Sequence, residues 1–387
     1  MVRFRRSSNL FVLFSDRVAV DLDAFFTGSV NVVPKTQALG ISLASGKTAE
    51  LAPAILGLFA AVDSMSWHTA EQLTDRFEVD SQTLDALVRD GFLISSEETA
   101  QATMMREMDG RLDQVNWNPH QALSYVMARW ADTFTVEQLD ELTEVLEDFD
   151  CLVNAYGEPP PHYHQVEAAS SIPLPVAEPE TELLNVLLDR YTARVFRTDS
   201  PMPPEHLARL LYFTFGAQAE IPLARGFTVL RKTSPSGGAM HPVEAYPLIM
   251  NVQGIDCGIY HYNVGKHCLD LIKPMTETEA REVALQITTG QDYFASADIM
   301  LILTGRFKRT FWKYRNHAKA RRVVELDTGH LSQTFYLIAT QLGYGPFITA
   351  AIMDGPIEEL LNLPFLEEGA IAVVGCGTSV KNQERLV

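Results

Sequence analysis

Cysteines, basic side chains and long apolar runs are all scarce in this chain of 387 residues. The four cysteines, Cys151, Cys257, Cys268 and Cys376, form no CxxC pair, so the sequence predicts neither a disulfide framework nor a metal site. No apolar stretch approaches the roughly 20 residues of a membrane span, and the one near the N-terminus is too short for a signal peptide. We therefore expect reduced thiols and a cytoplasmic protein outside the membrane.

Basic residues are outnumbered by acidic ones, 31 to 49, which gives a net charge of −18. A surface of this sign repels phosphate backbones, so a role in binding nucleic acid is not expected. The composition is otherwise that of a globular protein, with 47% hydrophobic residues. The length exceeds that of one ordinary core and predicts two domains.

Short predicted elements follow one another in the first hundred residues. The predicted strands are Asn9–Phe14, Val18–Asp21 and Gly91–Ile94, and the predicted helices are Ala49–Ala61, a segment capped by Thr69, and Ser81–Arg89. Thr69 and Gln72 have the spacing of a capping box, and Gly91 stands where a glycine ends a helix. Helix, turn, helix and strand in this order predict a winged-helix-like domain over residues 1–100.

Winged helices commonly bind DNA, but the predicted domain has more acidic than basic residues. Residues 1–100 contain eight basic and thirteen acidic side chains. The candidate recognition helix contributes Asp85, Arg89 and Asp90, so it cannot supply the phosphate contacts that dominate DNA affinity. Another kind of ligand, or a purely structural role, is the better hypothesis.

Residues 101–179 are predicted to form a helical segment followed by a linker. An acidic amphipathic stretch at Thr135–Val153 favours a helix, and Gly157–Pro161 interrupts it with three consecutive prolines. His162 and His164 lie in this linker, but no carboxylate or thiol accompanies them, so a solvated loop is favoured over a metal site.

Two elements after the linker have the chemistry of an anion or flat-ligand site. Arg190, Thr192 and Arg194 follow the helical stretch Leu183–Leu188, and two guanidinium groups with a hydroxyl between them can converge on one anion. A salt-bridged helix end is the alternative. The sequence Pro235-Ser236-Gly237-Gly238-Ala239 lets backbone amides approach a ligand closely, although a simple tight turn also fits.

A basic run occupies Gly305–Val324, where eight Lys and Arg residues stand without one acidic residue. Neighbouring positive charge lowers the pKa of a lysine or a tyrosine, so the run suits Lys313-Tyr314 as a general base. The alternatives are a solvated helix face and a binding surface for an acidic peptide. A helix is then predicted to open at Asp327 and to continue through Leu342.

Taken together, these residues resemble the SagB-type dehydrogenases, a branch of the nitroreductase-like flavoproteins whose members oxidise ring-modified peptides. The resemblance covers about Glu180–Val387 and rests on five sequence features. They are Arg190-x-Thr192-x-Arg194, Pro235–Ala239, His241–Glu244 with Gly258–Tyr262, Lys313-Tyr314 upstream of Arg322, and Asp327–Gln333. It implies an α+β fold, in which helices flank a mostly antiparallel sheet, and a homodimer that builds each FMN site from both subunits.

The resemblance also implies roles for individual residues. Arg190, Thr192 and Arg194 would hold the FMN phosphate, with Arg385 as a further contact. Pro235, Ser236, Gly237 and Gly238 would lie against the flavin, and Lys313 and Tyr314 would act as base or proton relay. Ala350 would stand at the flavin-side loop, where this chain has Ala350-Ala351 and relatives have a pair of glycines.

We therefore predict an FMN-dependent dehydrogenase acting on a ribosomally made, modified precursor peptide. Winged helices in peptide-modifying enzymes recognise leader peptides by adding a strand to a sheet, which the acidic balance of residues 1–100 permits. Two alternatives stay open: a reductase in which NAD(P)H reduces the flavin, and a non-catalytic scaffold that delivers the peptide to partner enzymes.

Overall fold

The computed structural model describes residues 2–20, 32–130, 152–154, 157–161, 163, 172–175, 178–223 and 226–380. By their contacts, the residues divide into two compact units. The first comprises Met1–Arg129 together with Phe311–Arg321, and the second comprises Trp130–Thr310 and Arg322–Val387. The segment Phe311–Arg321 thus groups with the N-terminal residues, which the predicted boundaries near residues 100 and 180 did not anticipate.

Two small antiparallel sheets lie in the first unit, ordered β5-β1-β6 and β2-β3-β4. The strands are β1 (Arg3–Arg6), β2 (Leu10–Val20), β3 (Val32–Ser42), β4 (Thr48–Glu50), β5 (His68–Thr69) and β6 (Leu93–Ser95). Strand β2 replaces the two strands predicted there, because its pairing with β3 runs without interruption from Leu10 to Val20. Asp21, the last residue of the second predicted strand, lies outside the described residues.

The helices of the first unit are α1 (Pro53–Ala61), α2 (Ala70–Phe77), α3 (Ser81–Arg89), α4 (Ala100–Val115) and α5 (Pro119–Ala128). The order α1-β5-α2-α3-β6 contains the predicted helix, turn, helix and strand. Leu58, Leu73, Leu84 and Phe92 bury their side chains between these elements and form the core of the unit. Burial of a leucine or phenylalanine stabilises a fold by about 1.5–3 kcal/mol, so these few residues hold the elements together.

Local chemistry sets the helix ends in this unit. The predicted capping box is confirmed: the Gln72 amide donates to Thr69 at 3.3 Å and the Thr69 amide donates to Gln72 at 2.9 Å. Gly91 follows α3 with a φ of +75°, as a glycine does after a helix end. The predicted start of α1 at Ala49 is wrong. Pro53 starts this helix instead, because it lacks an amide hydrogen and suits the first turn, while Thr48–Glu50 pairs with β3.

A six-stranded sheet forms the centre of the second unit, in the order β11-β10-β9-β12-β14-β13. Its strands are β9 (Val243–Ile249), β10 (Gly258–Asn263), β11 (Cys268–Pro274), β12 (Ile299–Arg306), β13 (Gly345–Thr349) and β14 (Glu368–Gly377). A separate hairpin pairs β7 (Ala219–Pro222) with β8 (Thr228–Arg231). Every neighbouring pair in the large sheet is antiparallel, which confirms the predicted α+β fold.

The helices of the second unit are α6 (Glu182–Asp189), α7 (Pro204–Phe215), α8 (Glu277–Ile287), α9 (Phe307–Lys313, whose last three residues group with the first unit), α10 (Ala320–Gln341) and α11 (Asp354–Leu361). Helices α8 and α11 cover the sheet, and Ala284 and Ile357 share one buried cluster with Met300 and Val373. Among the described residues, no helix has both the length and the hydropathy needed to cross a membrane.

Helix α10 approaches the sheet closely at one glycine of β12. A Cβ atom on Gly305 would lie 2.7 Å from the side chain of Val324, so a larger residue would push the helix away. The prediction that this helix opens at Asp327 is wrong, because it begins at Ala320. Asp327 is therefore an interior residue of α10, nearly fully buried. Its carboxylate therefore does not cap the start of the helix, and its hydrogen-bond partners lie elsewhere in the fold.

Candidate functional site

The segment after α6 is fixed to the sheet by contacts on both sides of its arginines. The Ala193 amide donates to the carbonyl of Pro346 at 2.9 Å, and the Tyr191 hydroxyl lies 2.5 Å from that of Ser379. Ala193 is buried, whereas Arg194 is exposed. The backbone is thus held in place while the neighbouring side chains remain available to a ligand.

Arg190, Thr192 and Arg194 converge on one buried side chain, Tyr336 of α10. The Thr192 hydroxyl lies 3.2 Å from the Tyr336 hydroxyl, and the Arg190 guanidinium lies 5.8 Å from the centre of its ring. Burial raises the pKa of Tyr336, while Thr192 and the positive charges of Arg190 and Arg194 oppose that rise. The three predicted phosphate contacts therefore form one cluster.

The charges of the two arginines decide what kind of partner this cluster can bind. Within the part of the chain that the structure describes, neither Arg190 nor Arg194 forms an ion pair with a carboxylate. By contrast, Arg197 pairs with Asp199 at 3.0 Å. The described residues therefore do not show the salt-bridged helix end that the sequence allowed. The cluster is suited to binding an anion.

The Pro235–Ala239 segment lies against α10 through specific hydrogen bonds. The carboxylate of Asp327 accepts a hydrogen bond from the Ser236 hydroxyl at 2.5 Å and another from the Gly237 amide at 3.0 Å. Two helical turns further on, the Thr334 hydroxyl lies 2.7 Å from that of Ser234. These bonds give the loop one defined conformation on the surface of α10.

Both glycines of this loop are required by the geometry. A Cβ atom on Gly237 would overlap the side chain of Val323 on α10. Gly238 has a φ of +64°, in the left-handed region that favours glycine. The backbone therefore carries no side chain at two successive positions. A flat ring can lie against such a surface.

Lys232 and His241 line a small pocket beside this loop, together with Ser236 and Asp327. Burial lowers the pKa of Lys232, and Arg309 lowers it further, although Glu244 acts in the opposite direction. Burial also lowers the pKa of His241, and the neighbouring Lys232 adds to that effect. The pocket therefore favours the neutral form of its histidine.

The loop and the arginine cluster occupy opposite sides of α10. Asp327 and Tyr336 are nine positions apart in this helix, and at about 100° per residue they point about 180° from each other. Thr334 lies seven positions after Asp327 and so shares its side, which agrees with its contact to Ser234. A single chain thus presents the two predicted flavin-binding elements on two separate surfaces.

Lys313 and Tyr314 lie at the end of α9, in the segment that groups with the first unit. Lys313 is exposed and Tyr314 is partly buried, and the Lys313 ammonium lies 5.8 Å from the centre of the Tyr314 ring. The pair is therefore adjacent in space as well as in sequence, and solvent reaches the lysine.

Not all of the basic run surrounds this pair. Arg306 forms an ion pair with Glu244 at 3.0 Å, and Lys308 forms one with Glu367 at 3.3 Å. These two charges are neutralised by acidic residues of the second unit. For these two outer residues of the run, the structural explanation left open by the sequence therefore holds.

The remaining predicted residues are less informative. Ala350 is exposed directly after β13, and the carbonyl of Ala351 accepts a hydrogen bond from Gln291 at 3.2 Å. Arg385 lies outside the described residues. The sequence did not reveal the contacts that α10 makes to both elements, although Asp327 belongs to one of the five features on which the resemblance rests. No local pattern around Tyr336 indicated that three site residues would converge on it.

Comparison with known proteins identifies the second unit. The Nitroreductase family matches residues 187–378. A nitroreductase-type protein of Methanocaldococcus jannaschii is 33% identical over 192 residues, which are 50% of this chain and 89% of that protein. The chain belongs to the nitroreductase family. Members of this family usually bind a flavin and are typically oxidoreductases.

Two further relatives of this nitroreductase-family chain are named for peptide processing. The trifolitoxin-processing protein TfxB of Rhizobium leguminosarum is 35% identical over 148 residues, 38% of this chain and 39% of that protein. The microcin B17-processing protein McbC of Escherichia coli is 24% identical over 139 residues, 35% of this chain and 49% of that protein. The chain thus spans less than half the length of either protein. These matches are consistent with the predicted SagB-type branch.

Among solved structures, a microcin synthetase complex of Escherichia coli, McbBCD with a truncated precursor bound, matches this chain with a TM-score of 0.45. The sequence identity is 16%, and the match covers 65% of this chain and 96% of that one.

Proposed function

We propose that this nitroreductase-family protein is an FMN-dependent dehydrogenase that acts on a ribosomally made, modified peptide. The observation that carries the proposal is the arrangement on α10, where an arginine cluster and a glycine loop are each fixed by buried side chains. The names of the relatives TfxB and McbC add support for a peptide as substrate.

The residues of this chain fit FMN at both of its ends. Arg190, Thr192 and Arg194 would hold the phosphate, since two guanidinium groups and a hydroxyl offer donors to its oxygens. Pro235–Gly238 would lie against the ring or the ribityl chain, because Gly237 and Gly238 leave the backbone free of side chains. When bound, FMN accepts a hydride equivalent from a carbon next to nitrogen or sulfur.

Lys313 and Tyr314 supply the proton chemistry in this proposal. Oxidation of such a carbon also releases a proton, and one member of the pair removes it while the other relays it to solvent. The exposure of Lys313 suits exchange of the proton with water. The substrate loses two hydrogens in total, one as the proton and one as the hydride equivalent.

The opposite placement of the two flavin-binding elements supports a homodimer. The loop on the Asp327 side and the cluster on the Tyr336 side cannot share one FMN within a protomer when α10 stands between them. A second copy would supply the missing element to each site. Helix α6, directly before the arginines, exposes an apolar surface suited to such an interface, formed by Leu183, Leu184, Leu187 and Leu188.

Subunit mixing tests this arrangement. The variants Gly237→Ala and Arg190→Ala/Arg194→Ala are each expected to lose FMN. Mixing the two after mild dissociation should restore one intact site in each heterodimer, visible as recovered bound flavin. A chain carrying all three substitutions is the control and should recover nothing. Absence of recovery from the mixture would contradict the shared site.

The first unit is proposed to bind the leader part of the precursor peptide. Its short β-sheets offer strands to which an extended peptide can add, and the acidic excess of residues 1–100 disfavours DNA rather than peptide. Other peptide-modifying enzymes are proposed as partners, since the ring that is oxidised must first be formed. Removal of the leader from a precursor should raise KM, while the same ring is still oxidised.

The reaction itself is tested with a peptide that carries one thiazoline ring. The holoprotein should convert it to a product lighter by two hydrogens, and Lys313→Ala or Tyr314→Phe should abolish this change while FMN stays bound. Lys273→Ala, on the exposed strand β11, is the matched control and should remain active. Unchanged turnover in both variants of the pair would contradict the assignment of the base.

A further inference from the structure

The base-bearing segment Phe311–Arg321 is held by one short stretch of the first unit, the turn between α4 and α5 and the first residues of α5. We call this stretch, Asn116–Gln121, the clasp. Asn116 ends α4 with a φ of +63°, and its carbonyl accepts a hydrogen bond from the Asn316 amide at 3.0 Å. The clasp and the segment both belong to the first unit, although they are nearly 200 residues apart in sequence.

Apolar packing fixes the segment before the Lys313-Tyr314 pair. The rings of Trp117 and Phe311 meet edge to face at 4.6 Å, and both side chains are almost completely buried. An aromatic pair of this geometry stabilises the contact beyond the effect of the area that it buries. Phe311 stands two positions before Lys313, so the pair begins directly after a rigid anchor.

Amide side chains fix the segment after the pair. Asn118 donates to the carbonyl of Asn316 at 3.1 Å. Gln121 donates to the carbonyl of Ala318 at 2.6 Å and accepts from the Arg321 amide at 3.1 Å. These three bonds take up two carbonyls of an irregular stretch and the Arg321 amide in the first turn of α10, where the helix itself offers no acceptor.

We propose that Asn118 and Gln121 are positioning residues, which hold the Lys313-Tyr314 pair in the orientation that proton removal requires. The inference rests on the proposed function of the pair. Asn118 and Gln121 reach the segment through its backbone groups, the carbonyls of Asn316 and Ala318 and the amide of Arg321. The clasp therefore fixes the path of the chain and leaves the chemistry to Lys313 and Tyr314.

The arrangement has a consequence for peptide binding. The clasp is part of the same unit that is proposed to bind the leader peptide. Any change in α5 on binding would be passed to the segment through Asn118 and Gln121, because both lie on or next to that helix. Leader binding can then raise kcat as well as lower KM.

The double variant Asn118→Asp/Gln121→Glu tests the clasp with little disturbance of the fold. The carboxylate introduced at the first position would still cap α5, since the present cap uses an oxygen that accepts from the Gln121 amide. The carboxylate introduced at the second position would still accept from the Arg321 amide. Only the two donors to Asn316 and Ala318 are lost, and carboxylate oxygens then face carbonyl oxygens. Gln114→Ala, an exposed residue of α4, is the control.

Two readouts separate positioning from general stability. Hydrogen–deuterium exchange of the full chain should quicken in residues 314–321 of the double variant and not elsewhere. With the thiazoline peptide, kcat should fall about tenfold to a hundredfold while KM, FMN content and Tm remain those of the control. Unchanged exchange or an unchanged kcat would overturn the proposal, and so would a loss spread over FMN content and Tm.

The two proposals can fail separately. If the unmodified protein does not oxidise the thiazoline peptide, the proposed reaction is contradicted for that substrate. The exchange measurement needs no substrate, so it still decides whether the clasp holds the segment. Faster exchange confined to residues 314–321 shows that the clasp holds the segment whether or not this peptide is the substrate, and unchanged exchange rejects the clasp.

Discussion

The carboxylate of Asp327 binds two groups of one loop at once, the Ser236 hydroxyl at 2.5 Å and the Gly237 amide at 3.0 Å. Because Asp327 lies on a rigid helix and is nearly fully buried, it fixes the loop against α10. Ser236 in turn accepts a hydrogen bond from the His241 amide at 2.8 Å, which extends the order beyond the glycines. In the proposed site, a flavin ring would then meet a preformed surface instead of a mobile loop.

Asp327→Ala should therefore weaken FMN binding more than it weakens the fold. The Gly237 amide, which is only partly buried, would lose its partner, and a donor left without an acceptor costs up to about 1–3 kcal/mol. We expect FMN affinity to fall about tenfold or more in a fluorescence titration. Glu282→Gln, an exposed carboxylate on α8, serves as control. Equal affinity in the two variants would show that the loop does not depend on Asp327.

Gly237→Ala tests the close approach of the loop to Val323. The added methyl group has no room, so the loop must move away from α10 and bound FMN should be lost. Gly57→Ala is a matched substitution inside α1, where nothing lies within 4 Å of the new atom. It should keep FMN and stabilise the protein by about 0.5–1 kcal/mol. Retained FMN in Gly237→Ala would remove the loop from the site.

In the proposed site, the arginine cluster would make FMN binding sensitive to charge. Arg190→Ala and Arg194→Ala should each weaken FMN, and the affinity of the unmodified protein should fall as salt increases. Arg197→Ala removes an arginine from a nearby exposed pair with Asp199, and it should leave FMN affinity unchanged. A larger loss in Arg197→Ala than in Arg190→Ala would place the phosphate elsewhere.

Stability should depend on pH through Asp298, the residue before β12. Burial raises its pKa to about 6, although Asn251 and the Thr378 amide donate to it. Because the folded pKa lies above the ordinary value of 3.8, this stabilising contribution is complete below about pH 3.8 and disappears as the pH rises through about 6. Asp298→Asn cannot ionise and avoids this loss.

Thermal melts of Asp298→Asn and the unmodified protein, compared across this pH range, check the effect. The variant should gain on the order of 2 kcal/mol relative to the unmodified protein between about pH 4 and pH 7.5. Other acidic groups titrate in both proteins and cancel in the difference. A difference that stays constant with pH would mean that Asp298 does not titrate in this window.

Features set by neighbouring residues were predictable from the sequence. The Thr69 capping box and the helix at Glu182–Asp189 depend on residues three or four positions apart, and both are found. The start of α10 was not predictable, because an aspartate fits an N-cap as well as a helix interior. What decides its role is bonding to Ser236 and Gly237, about 90 residues away.

The candidate site was predicted as a set of residues but not as an arrangement. The resemblance named Arg190, Thr192, Arg194 and the glycine loop, and the structure adds that Tyr336 and Asp327 hold them on opposite sides of one helix. The grouping of Lys313 with the first unit depends on Trp117 and Gln121, which no local pattern connects to it. Such contacts arise only from tertiary folding.

The central claim is that electrons pass from the peptide to the flavin. The most direct measurement is the visible flavin absorbance of the holoprotein without oxygen or nicotinamide, on addition of the thiazoline peptide. The account predicts that the yellow colour bleaches in one turnover, that the peptide loses two hydrogens, and that air restores the colour. Bleaching by NADPH alone, with no response to the peptide, would contradict it.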